Sequence, residues 1–344
     1  MHGVFPDNEA ECLVSYVFYH LNKYPFLPYF ELPLQALLFR IMMSFLRFLR
    51  WPNLLIVIIT QYLLALGLIW PALRQEGLQP LLQGLDFALL VLVTVLIAAG
   101  GYVINDLYDQ DIDRINKPGK SWVGSHYSVR QAWSLYWASG FLGLLISIYL
   151  AWRVQAPGQL LIYPVAVAGL WAYSWRLKCT PLAGNVLVGL FCAFVAGILW
   201  YAERAVFAQL PAHHALPLVL GAYLVFAFIS TLYREIIKDL EDRAGDGARG
   251  CRTLPVVYGL ITARRIAFIT GLLFLILCGV SGWWLFRQEQ WSALAGLGAG
   301  VILPLIWSLA RVGRMESQED FHRQSQVAKW MMLVGLLLLF LLRS

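Results

Sequence analysis

The chain carries two acidic clusters with the same internal spacing. The first reads Asn105-Asp106-Leu107-Tyr108-Asp109-Gln110-Asp111-Ile112-Asp113, and the second runs from Glu235 through Asp239, Glu241 and Asp242 to Asp246. Asp106, Asp109 and Asp113 stand at i, i+3 and i+7, and so do Asp239, Asp242 and Asp246. On a helix of about 3.6 residues per turn these positions share one face. Asp111 points off it. Carboxylates stacked this way repel one another and destabilise the helix, so something cationic should offset the cost. The ligands offered are all oxygen, with no His or Cys beside them, which selects a hard ion, Mg²⁺ or Ca²⁺, over zinc. The first motif lacks the EF-hand pattern. Mg²⁺ typically takes one or two carboxylates and completes its shell with water and substrate phosphates. Two such motifs on facing helices would clamp a diphosphate through Mg²⁺, with Asp106, Asp109, Asp113, Asp239, Asp242 and Asp246 as ligands. Arg114, Lys117, Lys178 and Arg243, on the same side, would neutralise remaining phosphate charge.

The elements that must hold these residues are apolar. Of 344 residues, 60% are hydrophobic and 13% charged, against about 25% charged in soluble domains. A bilayer core needs about 20 apolar residues per helix. Nine runs qualify: Trp51–Trp70, Asp86–Ile104, Ala132–Trp152, Gln159–Trp175, Leu182–Ala202, Ala215–Ile236, Ile266–Phe286, Trp291–Ala310 and Val327–Leu342. The fold class predicted is an all-α integral membrane protein. The acidic motifs close the second and sixth runs, on one membrane face. Of the 26 Lys and Arg residues, only Arg74, Arg153, Arg204, Arg287 and Arg343 fall on the opposite face. Positive residues mark the cytoplasmic side, so the N-terminus and the motifs are predicted to be cytoplasmic in a multi-pass protein of the cell membrane. The net charge of +6 is then a topology signal rather than a nucleic-acid footprint.

Residues 1–44 form a leader with Pro25, Pro28 and Pro33, running into an interfacial helix that starts at Leu34; residues 45–344 form the membrane domain. No cleaved signal peptide is expected. The five cysteines lack C-x-x-C or metal spacing and are expected to pack as small residues without a disulfide framework. His213 and His214 are read as loop residues, and Trp70, Trp283 and Trp284 as interface anchors.

At the acidic motifs the chain resembles the UbiA superfamily of intramembrane prenyltransferases. Asn105 to Asp113 matches every fixed position of that family's N-D-x-x-D-x-x-x-D, and Asp239, Asp242 and Asp246 match its second motif. The resemblance covers about residues 45–344. It implies nine helices in a bundle around a central cavity, and Mg²⁺-dependent transfer of a prenyl group from an allylic prenyl diphosphate to a lipophilic, membrane-soluble acceptor. Tyr173 to Lys178 fits the family's loop after its fourth helix, where the lysine contacts the diphosphate and the tyrosine shapes that site. Asn53, and similarly Asn185, resembles a polar position facing the cavity. The resemblance casts Asp106, Asp109, Asp113, Asp239, Asp242 and Lys178 as the catalytic set. Asn53, Asn105, Arg114, Lys117, Tyr173 and Arg243 bind substrate.

Arg234 to Asp239 and Gly250 to Pro255 are most similar to the branch that acts on geranylgeranylglyceryl phosphate in ether-lipid biosynthesis. The chain departs from the family's N-R-P-x-R-P at Asn116-Lys117-Pro118-Gly119-Lys120-Ser121. Lysine keeps the charge but not the bidentate fork. An aromatic quinone precursor is the alternative acceptor. The rival outside enzymes is a transporter using the acids as ion sites, which normally places them near the midplane.

Overall fold

The computed structural model describes residues 34–110 and 122–342. By internal contacts the chain divides into two units, Met1–Arg47 and Phe48–Ser344. The helix α1, Leu34–Phe48, spans their boundary, and in the first unit it exposes Leu38, Phe39 and Met42.

The second unit is built from helices: α2 Trp51–Gln75, α3 Gly84–Tyr108, α4 Val129–Arg153, α5 Ile162–Trp175, α6 Ala183–Phe207, α7 Ala215–Ala248, α8 Leu254–Arg287, α9 Trp291–Val312 and α10 Gln318–Leu341. No strand occurs among the described residues, only an isolated bridge between Val123 and Tyr127. Eight of these helices are long and apolar enough to cross a membrane. The fourth apolar run behaves differently: a 3₁₀ turn at Pro157–Leu161 leaves α5 only 14 residues. At about 1.5 Å per residue it is shorter than the ~30 Å hydrocarbon core.

Large apolar side chains face outwards, among them Trp137, Phe141, Trp152 and Trp283. In water such a surface would drive aggregation; in lipid it is the solvated face. Helices suit that solvent because they satisfy their own backbone groups. Their ends are prepared locally. Ser128 and Gln131 form a reciprocal capping box on α4. His214, placed in a loop by the sequence, caps α7 by accepting from the Leu216 amide. Trp70 packs edge-on against Phe87.

Buried polar groups fix the register between helices. Gln61, on α2, donates to Thr94 Oγ1 on α3 (3.1 Å) and to the Val195 carbonyl on α6 (2.9 Å). Tyr233, Ser308 and Gln324 link α7, α9 and α10. Buried Glu203 accepts from the Leu81 and Leu82 amides at 2.8 and 3.1 Å, pinning the α2–α3 loop to α6. Away from water such bonds hold helices together where no hydrophobic force can.

The expectation of no disulfide fails at one place: Cys179 and Cys251 are bonded. Their separation of 72 residues hides the contact from any local pattern. Cys278 packs in the core as expected, and Cys192 is a half-buried free thiol.

Candidate active site

The first motif is where α3 stops. Its last helical residue is Tyr108, and Asp109 is the C-cap. The predicted shared helical face can therefore be followed for Asp106 and Asp109, at the end of α3. Asn105 and Asp109 still face each other one turn apart, with Asn105 Nδ2 donating to Asp109 Oδ2 at 2.9 Å. Asp111, Asp113, Arg114, Lys117 and Lys120 lie outside the described residues.

Among the described residues, Lys178 and Arg50 meet this motif. Lys178 Nζ donates to Asp109 Oδ1 at 2.7 Å and to Asn105 Oδ1 at 3.2 Å. It sits on the 3₁₀ turn Leu177–Cys179, between α5 and α6. Arg50 donates to Asp106 Oδ1 at 2.7 Å, and its guanidinium lies 4.9 Å from the centre of the Tyr102 ring. Asn53, in the first turn of α2, lies near Tyr102. Arg50 has φ 54° and ψ 48°, a left-handed conformation that costs a non-glycine residue roughly 1–2 kcal/mol. Such strain clusters at functional sites. In the sequence Arg50 is one of the many positive charges on the motif side and closes the interfacial segment that starts at Leu34. Its position just before Trp51-Pro52, on the motif side, was the available signal.

The second motif lies on the uninterrupted α7, so Asp239, Asp242 and Asp246 do share a helix. Asn185 Nδ2 on α6 donates to Asp239 Oδ2 at 2.9 Å. Thr253 donates to Asp246 Oδ2 at 3.1 Å. Asp242 and Arg243 are half-buried. Glu241 faces another way, against His322 of α10 at 2.8 Å.

The two motifs are joined through the α5–α6 turn. Lys178 holds the first, and the next residue, Cys179, is bonded to Cys251 at the end of the second. Tyr173, on the last turn of α5, lies within electrostatic reach of Asp109 from one motif and Glu235 and Asp239 from the other, and of Arg50. Thr253, Tyr102 and the disulfide are site features that the sequence reading missed.

The turn has little room to move. A Cβ on Gly184 would stand 2.7 Å from the Leu177 carbonyl oxygen and 3.1 Å from Lys178 Cα. Both are backbone atoms and cannot rotate away. Gly184→Ala is expected to lower stability by about 1–3 kcal/mol, as overpacking does. Thermal unfolding in detergent would show it; an unchanged transition would mean that the turn yields freely.

The arrangement fits a hard divalent cation. Every donor in the motifs is a carboxylate or amide oxygen. Among the described residues no three acidic, His or Cys side chains converge into a complete cage. A shell of one or two carboxylates completed by water and phosphate oxygens is the Mg²⁺ habit.

Three comparisons bear on this geometry. Residues 63–333 match the profile of the UbiA prenyltransferase family. The digeranylgeranylglyceryl phosphate synthase of Methanopyrus kandleri is 33% identical over 254 residues, covering 71% of this chain and 83% of that one. That of Thermococcus kodakarensis is 31% identical over 260 residues, covering 72% and 82%. In fold, a UbiA homologue of Archaeoglobus fulgidus bound to DMAPP and Mg²⁺ matches with a TM-score of 0.54 at 19% identity, covering 87% of this chain and 100% of that one.

Proposed function

The chain belongs to the UbiA prenyltransferase family, and from that premise we propose that it transfers a geranylgeranyl group from its diphosphate to geranylgeranylglyceryl phosphate. It is a multi-pass membrane prenyltransferase; the donor, the acceptor, the metal and the sidedness are the proposal. The observation that carries it is Lys178, held by one acidic motif while its neighbour Cys179 is bonded to the end of the other. A diphosphate between the motifs would meet that ammonium group. The acceptor follows from the relatives: those reported are digeranylgeranylglyceryl phosphate synthases.

The α5 helix with its leading 3₁₀ turn would complete nine crossings around a central cavity. That count would put the N-terminus and both motifs on the Lys- and Arg-rich, cytoplasmic face. The acids lie at the ends of α3 and along the extension of α7. A transporter would hold them at the midplane.

The residues divide the work. Asp106, Asp109, Asp113, Asp239, Asp242 and Asp246 would hold Mg²⁺, with Asn105 and Asn185 orienting Asp109 and Asp239. Bound there, Mg²⁺ would supply charge neutralisation on the departing diphosphate. Lys178 releases Asp109 and bonds a diphosphate oxygen, stabilising charge as the C1–O bond breaks. Arg114, Lys117 and Arg243 take the remaining phosphate charge. Arg50 holds Asp106 in place through their ion pair. Tyr173 walls the head region, Asn53 with Tyr102 lines its entrance, and apolar helices keep water from the allylic cation.

The test is diphosphate release from geranylgeranyl diphosphate by purified protein. Release should require both Mg²⁺ and geranylgeranylglyceryl phosphate, and stop with a chelator. Release with 4-hydroxybenzoate instead would move the assignment to the aromatic branch. No release from folded protein with either acceptor would sink it.

A further inference from the structure

Resting on this diphosphate reading, we propose that Cys179 and Cys251 form a reversible redox-modification site that positions Lys178, with thiols and disulfides of the cytoplasmic pool as co-reactants. The bridge is one residue from Lys178. On its other side the Cys251 amide donates to the Asp246 carbonyl at 3.0 Å, so the sulfur bond ties the lysine turn to the last ligand of the second motif. One backbone bond runs beside it, from the Arg252 amide to the Cys179 carbonyl at 3.1 Å. The turn itself is three residues long, and its N-cap makes no side-chain hydrogen bond. Without the bridge, the backbone hydrogen bond from Arg252 to Cys179 remains between the turn and the segment after α7.

The chemistry suits reversal. Both cysteines are half-buried rather than enclosed, so an exchanging thiolate has access. Disulfides in a reducing compartment are usually transient or sensing. Reduction by a dithiol breaks the S–S bond through a mixed disulfide. Two electrons and two protons pass to Cys179 and Cys251, and the dithiol leaves as its own disulfide. Oxidation is the reverse, with a disulfide as electron acceptor. The bridged form holds Lys178 at the first motif; the dithiol form loosens that hold and lets the lysine side chain leave Asp109.

The experiment measures binding of inorganic pyrophosphate with Mg²⁺ to the full-length protein, oxidised and after dithiothreitol, with thiols counted in denaturant. Of five cysteines, the oxidised form should show all but the bridged pair. It should bind pyrophosphate about tenfold more tightly than the reduced form, the value of one charge-assisted contact. Cys251→Ser should bind like the reduced form and ignore the dithiol. Cys192→Ser should behave like the wild type. Five free thiols after oxidant treatment, or equal affinities in both forms, would overturn the switch alone. No pyrophosphate binding in either form would overturn the diphosphate reading and the switch with it.

Discussion

Asp109→Ala is expected to lower prenyl transfer by about 10³-fold, near the upper range for removing one preorganised charge contact. Asp109 is where the first motif is tied together: one carboxylate oxygen takes Lys178 at 2.7 Å and the other takes Asn105 at 2.9 Å. Alanine removes a proposed metal ligand and frees the lysine at once. Asp109→Asn would keep the shape and lose the charge. If the charge is what matters, it should be nearly as damaged as alanine. The fold should survive both, because Asp109 caps a helix end and is only half-buried. Glu241→Ala is the control. It lies in the second acidic stretch but pairs with His322, so its turnover should stay within about twofold, as for other surface ion pairs. The assay is single-turnover transfer at saturating Mg²⁺. A loss below tenfold in Asp109→Ala, or an equal loss in Glu241→Ala, would show that acidity rather than this geometry had been read.

Much of this site was legible because membrane spans and paired motifs are local patterns. The apolar run from Ala215 predicted α7, and the i, i+3, i+7 spacing placed Asp239, Asp242 and Asp246 on that helix, where they are. At the first motif the same spacing can be followed only for Asp106 and Asp109, since Asp113 lies outside the described residues. A helix needs its next residues to continue the hydrogen-bond ladder, and α3 stops at Tyr108. There Asn105, Asp109 and Lys178 bond one another through side chains. The fourth span was read as one helix from Gln159, and apolar composition gives no sign that its first residues, to Leu161, lie in a 3₁₀ turn.

Contacts distant in sequence were not legible. Arg50 and Asp106 are 56 residues apart, and Cys179 and Cys251 are 72 apart. No periodicity connects such pairs; only the packing of α2 on α3, and of the α5–α6 turn on the end of α7, brings them together. The roles of Arg50 and Thr253 are therefore products of topology. Lys178 was legible for a different reason. It lies in a segment whose residues match a family pattern, so its position was known by likeness before the geometry gave it partners.

Lys178→Met should lower the rate of transfer by about 10²-fold while leaving donor affinity within a few-fold. The reason lies in when charge appears. In the ground state Lys178 is already paired with Asp109 and Asn105, so its ammonium adds little to binding of the esterified donor; only free pyrophosphate, carrying the charge released when the C1–O bond breaks, gains the contact in full. As the C1–O bond breaks, negative charge grows on the diphosphate, and a positioned cation is then worth more than before. An interaction that strengthens only in the transition state acts on kcat rather than KM. Methionine keeps the length of the stem and removes the charge. Lys178→Arg should rescue incompletely, because a planar fork does not reproduce a compact ammonium. The loss should be the same with every acceptor tested, since the lysine serves the leaving group. With Asp109→Asn the double variant should lose less than the product of the two single losses, because the two side chains act as one unit. Rise of KM alone in Lys178→Met, or a loss that changes with the acceptor, would assign the lysine to substrate binding and leave departure of the diphosphate to other residues.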